Sequence, residues 1–152
     1  KRDWSSDVCS SDLVNCVGTF MRRKKALKLK KKIKSSVLSH KGPYVTSVRS
    51  INLWFRYLNR ALFNNQLPPF DKIILKKWLK KAVGQVCLYP DKNPTRFDLE
   101  MLRKYDSKKD FVETLAHEMV HLYQMSCRKD TGNHNKLFYS FKPKLKFIGL
   151  TL

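Results

Sequence analysis

Residues 113–125, Glu-Thr-Leu-Ala-His-Glu-Met-Val-His-Leu-Tyr-Gln-Met, restrict the fold more than any other stretch. They contain H-E-x-x-H at His117, Glu118 and His121. Two histidines four apart act together only on a helix, where they stack one turn apart on the same face. The surrounding text supports that helix. Ser107 and Asp110 form a capping pattern, and an acid in the first turn suits the helix dipole. Val112, Leu115, Ala116, Met119, Leu122 and Tyr123 recur at helical spacing, with Thr114, His117, Glu118 and His121 to one side. No Gly or Pro interrupts Lys108 to Met125. Two imidazoles with a neighbouring carboxylate are what a zinc hydrolase needs: the imidazoles hold Zn2+, and Glu118 acts as the base on a water.

A catalytic zinc site takes three protein ligands and keeps a fourth position open. No Glu follows Glu118, so a scheme with a distant Glu ligand fails. The H-E-x-x-H-x-x-G-x-x-H scheme also fails, because Gln124 stands where Gly belongs and Cys127 where the third His belongs. Cys127, Asp130 and His134 are left; His40 lies in a basic loop far upstream. His134 follows a turn containing Gly132 and precedes a helical pattern, so the chain can bring it back over the metal. It is the favoured third ligand, with Asp130 as the alternative.

The rest of the chain supplies an α+β frame. Ile51, Trp54, Phe55, Leu58, Leu62 and Phe63 mark the core face of a helix over 48–63, closed by Asn64 to Pro69. Three strands are expected: around Ile73 to Leu75, from Ala82 to Tyr89, and from Arg96 to Met101 with one polar face. After the histidine helix, Leu137, Phe138, Phe141, Leu145 and Ile148 read as a helix divided at Pro143 and stopped at Gly149. The predicted fold is zincin-like: an N-terminal helix, a small three-stranded antiparallel or mixed sheet, the H-E-x-x-H helix, and a C-terminal helix carrying the third His. Three regions follow. Residues 1–20 read as a non-native or disordered leader with Met21 as a natural start, 21–47 as a basic arm and loop, and 48–152 as the domain.

The formal charge of +20 bounds the partners. Residues 22–34 alone hold nine Lys or Arg, and the excess continues through the domain. Such a field attracts polyanions, and nucleic acid is the commonest one in cells. No apolar run reaches the length of a membrane span, and the N-terminus lacks the apolar core of a signal peptide. Cys9, Cys16, Cys87 and Cys127 form no C-x-x-C pair, so neither a zinc ribbon nor a disulfide framework is expected. The expected setting is reducing and intracellular: cytoplasmic, or nuclear in a eukaryote. A monomer without membrane attachment is expected.

The chain resembles the SprT-like metalloproteases, which include the Spartan proteases of DNA–protein crosslink repair. The resemblance rests on Leu62-Phe63-Asn64 and Leu67-Pro68 after the first domain helix, and on Gly84 in the middle strand. It also rests on Glu113 through His121, on His134 with Phe138, and on Phe147 to Leu150. It covers roughly Ile51 to Leu150. Asn135 follows His134 where the family often has Gly, and no C-terminal zinc ribbon is recognisable. The resemblance implies a zinc peptidase with His117, His121 and His134 on the metal and Glu118 as the base. With the charge, it implies protein substrates bound to DNA. The competing reading is a non-catalytic nucleic-acid-binding module whose zinc is structural. A third, a secreted peptidase, would need the signal peptide that is not seen.

Overall fold

The computed structural model describes residues 10–79 and 82–152, with side chains in the first helix from Lys24 onward. The order is α1 (Ser10–Leu38), β1 (Tyr44–Val45), α2 (Val48–Leu62), β2 (Lys72–Lys76), β3 (Gly84–Tyr89), β4 (Arg96–Leu102) and β5 (Lys104–Tyr105). Then come α3 (Lys108–Leu122), a π turn (Tyr123–Cys127), α4 (Lys136–Tyr139) and α5 (Lys142–Phe147). This is an α+β layout. β1 and β5 form a small antiparallel ribbon.

The main sheet has the order β2-β4-β3 and is mixed: β2 runs parallel to β4 and β3 antiparallel to it. The last strand in sequence is therefore the middle one in space. Phe97, Leu99 and Met101 are buried. The predicted polar side holds, but as a bonded surface rather than a solvated one. Asp98 is buried and takes both Nε and Nη2 of Arg96, at 2.7 and 2.6 Å. That pair holds the Asp98 carboxyl below the ordinary carboxylate range. Glu100 takes Gln85 at 2.8 Å and Lys76 at 3.2 Å.

α2 begins at Ser47, which exchanges side-chain and backbone hydrogen bonds with Ser50 in a reciprocal cap. It ends where Asn64 and Asn65 turn left-handed at φ 54° and 59°, a conformation asparagine tolerates better than most residues. The following loop is fixed by Asn59. This buried side chain donates to the Leu67 carbonyl at 3.0 Å and accepts from the Leu67 N–H at 3.2 Å. The face predicted for α2 is buried as a set.

α3 starts at Ser107, whose hydroxyl accepts from the Asp110 N–H at 3.1 Å. The apolar positions predicted for it are buried, Tyr123 only partly, but the burial goes further round. Phe111 and Val120 are covered too, as are Thr114 and Glu118 on the polar side. The reason is position: α2 packs on one side of α3 and β3 on another.

α1 departs from the expected basic arm and loop. Its helix runs on to Leu38, deep into the region expected to be arm and loop. Ile33 and Val37, one turn apart, are buried in the core. Lys108 at the start of α3 donates to Ser36 Oγ at 2.9 Å and covers the Trp54 ring. Of the leader, residues 1–9 lie outside the described residues, and from Ser10 the backbone is helical. Among the described residues no helix is long and apolar enough to cross a membrane.

Replacing Asn59 with Ala leaves the Leu67 amide and carbonyl buried without their partners. Each orphaned group costs about 1–3 kcal/mol, so N59A is expected to lower unfolding free energy by about 2 kcal/mol or more. Urea denaturation checks this; a loss below about 0.5 kcal/mol contradicts the clamp.

Candidate metal centre

His117 and His121 stand one turn apart on α3. His134 comes from the loop beyond the π turn, one residue ahead of Asn135, the N-cap of α4. It thus precedes the C-terminal helix rather than riding on it, as the sequence reading had expected. The three rings meet at their Nε2 atoms. His117 to His121 and His121 to His134 are both 3.2 Å, and His134 to His117 is 3.1 Å. Phe138 supports all three: its ring centroid lies 4.8, 4.7 and 4.4 Å from those of His117, His121 and His134.

The orientation of His121 can be read from Gln124. That side chain is fully buried in the π turn. Its amide nitrogen faces three acceptors: Asp130 Oδ2 at 3.3 Å, the Asn133 carbonyl at 2.8 Å and Asn135 Oδ1 at 3.1 Å. The amide oxygen must then be the atom 3.1 Å from His121 Nδ1, which makes Nδ1 the donor. The Nε2 of His121 is left with a lone pair aimed at the other two nitrogens. Three such atoms suit a cation: tetrahedral coordination at roughly 2.0–2.1 Å sets ligand nitrogens roughly 3.3–3.4 Å apart. The residues present therefore fit a divalent metal ion held by imidazole nitrogens.

Burial and mutual proximity set the protonation. The His117 imidazole is pushed down to about 4 by burial first and by the neighbouring His121 and His134 next. His121 is lowered, chiefly by burial. Both are neutral near pH 7, as ligands must be. Glu118 is 5% exposed, and burial raises its carboxyl to about 7, against the pull of the Val86 N–H that donates to it.

A cleft of about 390 Å³ opens beside the cluster. His117, Glu118 and His134 line it with Val83, Gly84 and Thr114. Gly84 lets β3 come this close: a Cβ there would lie 2.6 Å from Thr114 Cγ2 and 3.3 Å from Glu118 Cγ. On the other side, the Thr151 N–H and hydroxyl donate to Glu113 Oε1 at 2.6 and 2.8 Å, which fixes a second wall.

Other candidates fall elsewhere. Asp130 supports the site rather than joining it: its carboxylate accepts from Asn135 at 2.9 Å and from the Thr131 N–H at 2.6 Å. Cys127 is exposed, with Sγ 3.5 Å from the Gln66 carbonyl, outside the cluster. His40 packs on Tyr44. Tyr123, Tyr139 and Arg128 do not line the cleft. Among the described residues His117, His121 and His134 form the one group of three or more potential ligands.

The SprT-like family matches residues 51–148, well over half of the sequence. The chain belongs to the SprT-like family. No curated protein and no solved structure matches it. The match runs from Ile51 in α2 to the end of α5 and takes in the whole histidine cluster and most of the cleft; Thr151 and Leu152 in the cleft wall lie beyond it.

In this SprT-like chain, Gln124 is the functional residue that sequence reasoning passed over. It was weighed only as the wrong residue for a glycine position. The available signal was a Gln three residues beyond His121, the spacing that lets one side chain reach another on a helix. Outer-sphere partners of this kind are worth about 10–100-fold in metal affinity. Q124L is expected to weaken zinc binding by about that factor, measured by competition with a chromophoric chelator. Unchanged affinity would remove Gln124 from the site.

The metal-free protein carries a pH signature. Glu118 releases its proton near 4.5 when unfolded and at about 7 when folded. The folded state therefore bears the full penalty above pH 7, about 3 kcal/mol at ~1.4 kcal/mol per unit, and sheds it as pH falls towards 4.5. His117 acts oppositely, costing stability as pH falls from 6.5 to about 4. E118Q removes only the first effect. Under chelation, E118Q is expected to be more stable than wild type at pH 8 and to converge with it near pH 5. Equal denaturation midpoints at pH 8 would contradict the burial of an ionisable carboxyl.

Proposed function

We propose that the chain is a zinc-dependent endopeptidase acting on proteins held near nucleic acid. The observation that carries this is a buried carboxyl, Glu118, lining the same open cleft as three converging imidazole nitrogens. A zinc ion on His117, His121 and His134 supplies, when bound, an electrophile for the scissile carbonyl and a water acidified towards about pH 7. Glu118 takes the proton of the attacking water and delivers it to the leaving nitrogen. A carboxyl whose proton affinity lies near neutrality can do both.

Binding of the substrate falls to β3. The strand over Arg96 to Met101 cannot take that role. That strand, β4, has both edges paired, to β2 and to β3, so it offers no backbone groups to a peptide. Among the described residues β3 pairs on one side only, and its start borders the cleft. An extended peptide adds to that edge by main-chain hydrogen bonds.

A structural zinc in a binding module would close with a fourth ligand and would have no use for a buried base. Cys127, the residue suited to close it, lies apart, which favours the enzyme. The charge supports nucleic acid as the setting, inside the cell, with the chain working as a monomer.

The test combines zinc analysis with cleavage of a DNA-binding protein, with and without single-stranded DNA. Wild type is expected to hold one zinc per chain and to cleave. E118Q is expected to hold zinc equally and to cleave about 10²–10⁴-fold more slowly, the range for loss of a general base. Fully zinc-loaded wild type that cleaves nothing under either condition would overturn the enzyme reading.

A further inference from the structure

The positive charge is segregated. From residue 13 to residue 70 the sequence contains thirteen Lys or Arg and no Asp or Glu. That span covers most of α1, the connection, and all of α2. Three ion pairs lie on the sheet and α3: Lys76 with Glu100, Arg96 with Asp98, and Lys109 with Glu113. From Lys24 onward α1 and α2 pack together and present one sign of charge.

The surface is also shaped. An open groove of about 550 Å³ runs along α2, bordered by Arg56, Tyr57, Arg60 and Asn65. A smaller hollow between α1 and α2 shares Tyr57 and reaches Lys32, whose ammonium lies 5.7 Å from the Tyr57 ring centroid. Arg56 and Arg60 are both exposed and one turn apart. Tyr57 is half-buried between them and Lys32, a ring available to a base while the cations take phosphates.

We propose that this α1–α2 face is a nucleic-acid track, with Lys32, Arg56 and Arg60 on phosphates and Tyr57 offering a stacking surface. It rests on the nucleic-acid half of the proposed function and is independent of peptide hydrolysis. Guanidinium forks suit phosphate oxygens, and cations combined with an aromatic ring are how single strands are held without sequence preference. A membrane surface fits less well. A helix lying on lipid needs an apolar face to insert, and here Ile33, Val37 and Trp54 are turned into the core.

The opposite flank of α1 faces the C-terminal segment that walls the cleft. Lys30 covers the Phe147 ring, and the stem of Lys34 lies against Gly149. Two residues on, Thr151 is bonded to Glu113 in the cleft wall.

Fluorescence anisotropy of a labelled 20-nucleotide single strand, titrated with the full chain at several salt concentrations, tests the track. The variant is Lys32→Ala, Arg56→Ala and Arg60→Ala together. The control removes equal charge from elsewhere with Lys72→Ala, Lys92→Ala and Lys104→Ala, and both are checked for wild-type thermal melting. Losing three phosphate contacts at about 0.7 per phosphate is expected to lower the log–log salt slope by about 2. The track variant should bind about tenfold or more weakly at ~0.1 M salt, and the control within about threefold of wild type. Equal weakening by both variants overturns the proposal. So does wild type that ignores the strand, or that binds phosphatidylserine vesicles in preference to it. Cleavage of a short unstructured peptide without DNA reports separately on the peptidase reading.

Discussion

Three imidazole nitrogens held 3.1–3.2 Å apart, one of them with its lone pair fixed inward, are the constraint on which the rest depends. Such an arrangement is unfavourable by itself and has to be enforced. Phe138 enforces it from below, and Gln124 from the side. Gln124 also bonds the carbonyl of Asn133 and the side chains of Asp130 and Asn135, so the residue that orients His121 also holds the loop that delivers His134. The second and third nitrogens are positioned by one side chain, at the one place where the long helix widens into a π turn. Such widenings often occur at functional sites.

The carboxyl beside them depends on a different contact. Glu118 is buried because β3 crosses close to α3, and β3 comes close because Gly84 has no side chain. The same approach brings the Val86 N–H to the carboxyl. Burial raises the proton affinity of Glu118 and the amide restrains it. Tyr105 secures the start of that strand: its hydroxyl donates to the Val83 carbonyl at 2.6 Å, and burial pushes its own proton loss up to about 12. The β3 edge and the base are therefore parts of one construction.

Much of this was legible in the sequence, where local periodicity and chemistry coincide. The caps at Ser107 and the turn after Leu62 followed from short-range rules, and so did the three strands. His134 could be favoured because the other ligand types were absent or badly spaced. Strand order was not legible: alternation in Arg96 to Met101 marks a strand with two faces but says nothing of which neighbours take its edges. α1 was misjudged because its lysines outweigh a stripe of only a few apolar residues, and docking through Ile33 and Val37 is a tertiary fact. Gln124 was hidden for the same reason, since its partners lie six, nine and eleven residues away on a loop.

The uneven placement of acids has a kinetic meaning. With no carboxylate between residues 13 and 70, and only basic charges on α2 and on α1 beyond Asp12, the molecule carries a permanent electric moment as well as a net charge. Near a polyanion it experiences a torque before it makes contact, which turns the helical side inward and the sheet outward. Encounters are thereby pre-aligned, and alignment of approaching surfaces is what ordinarily limits association. Added salt should therefore randomise the angle of approach as well as weaken the grip.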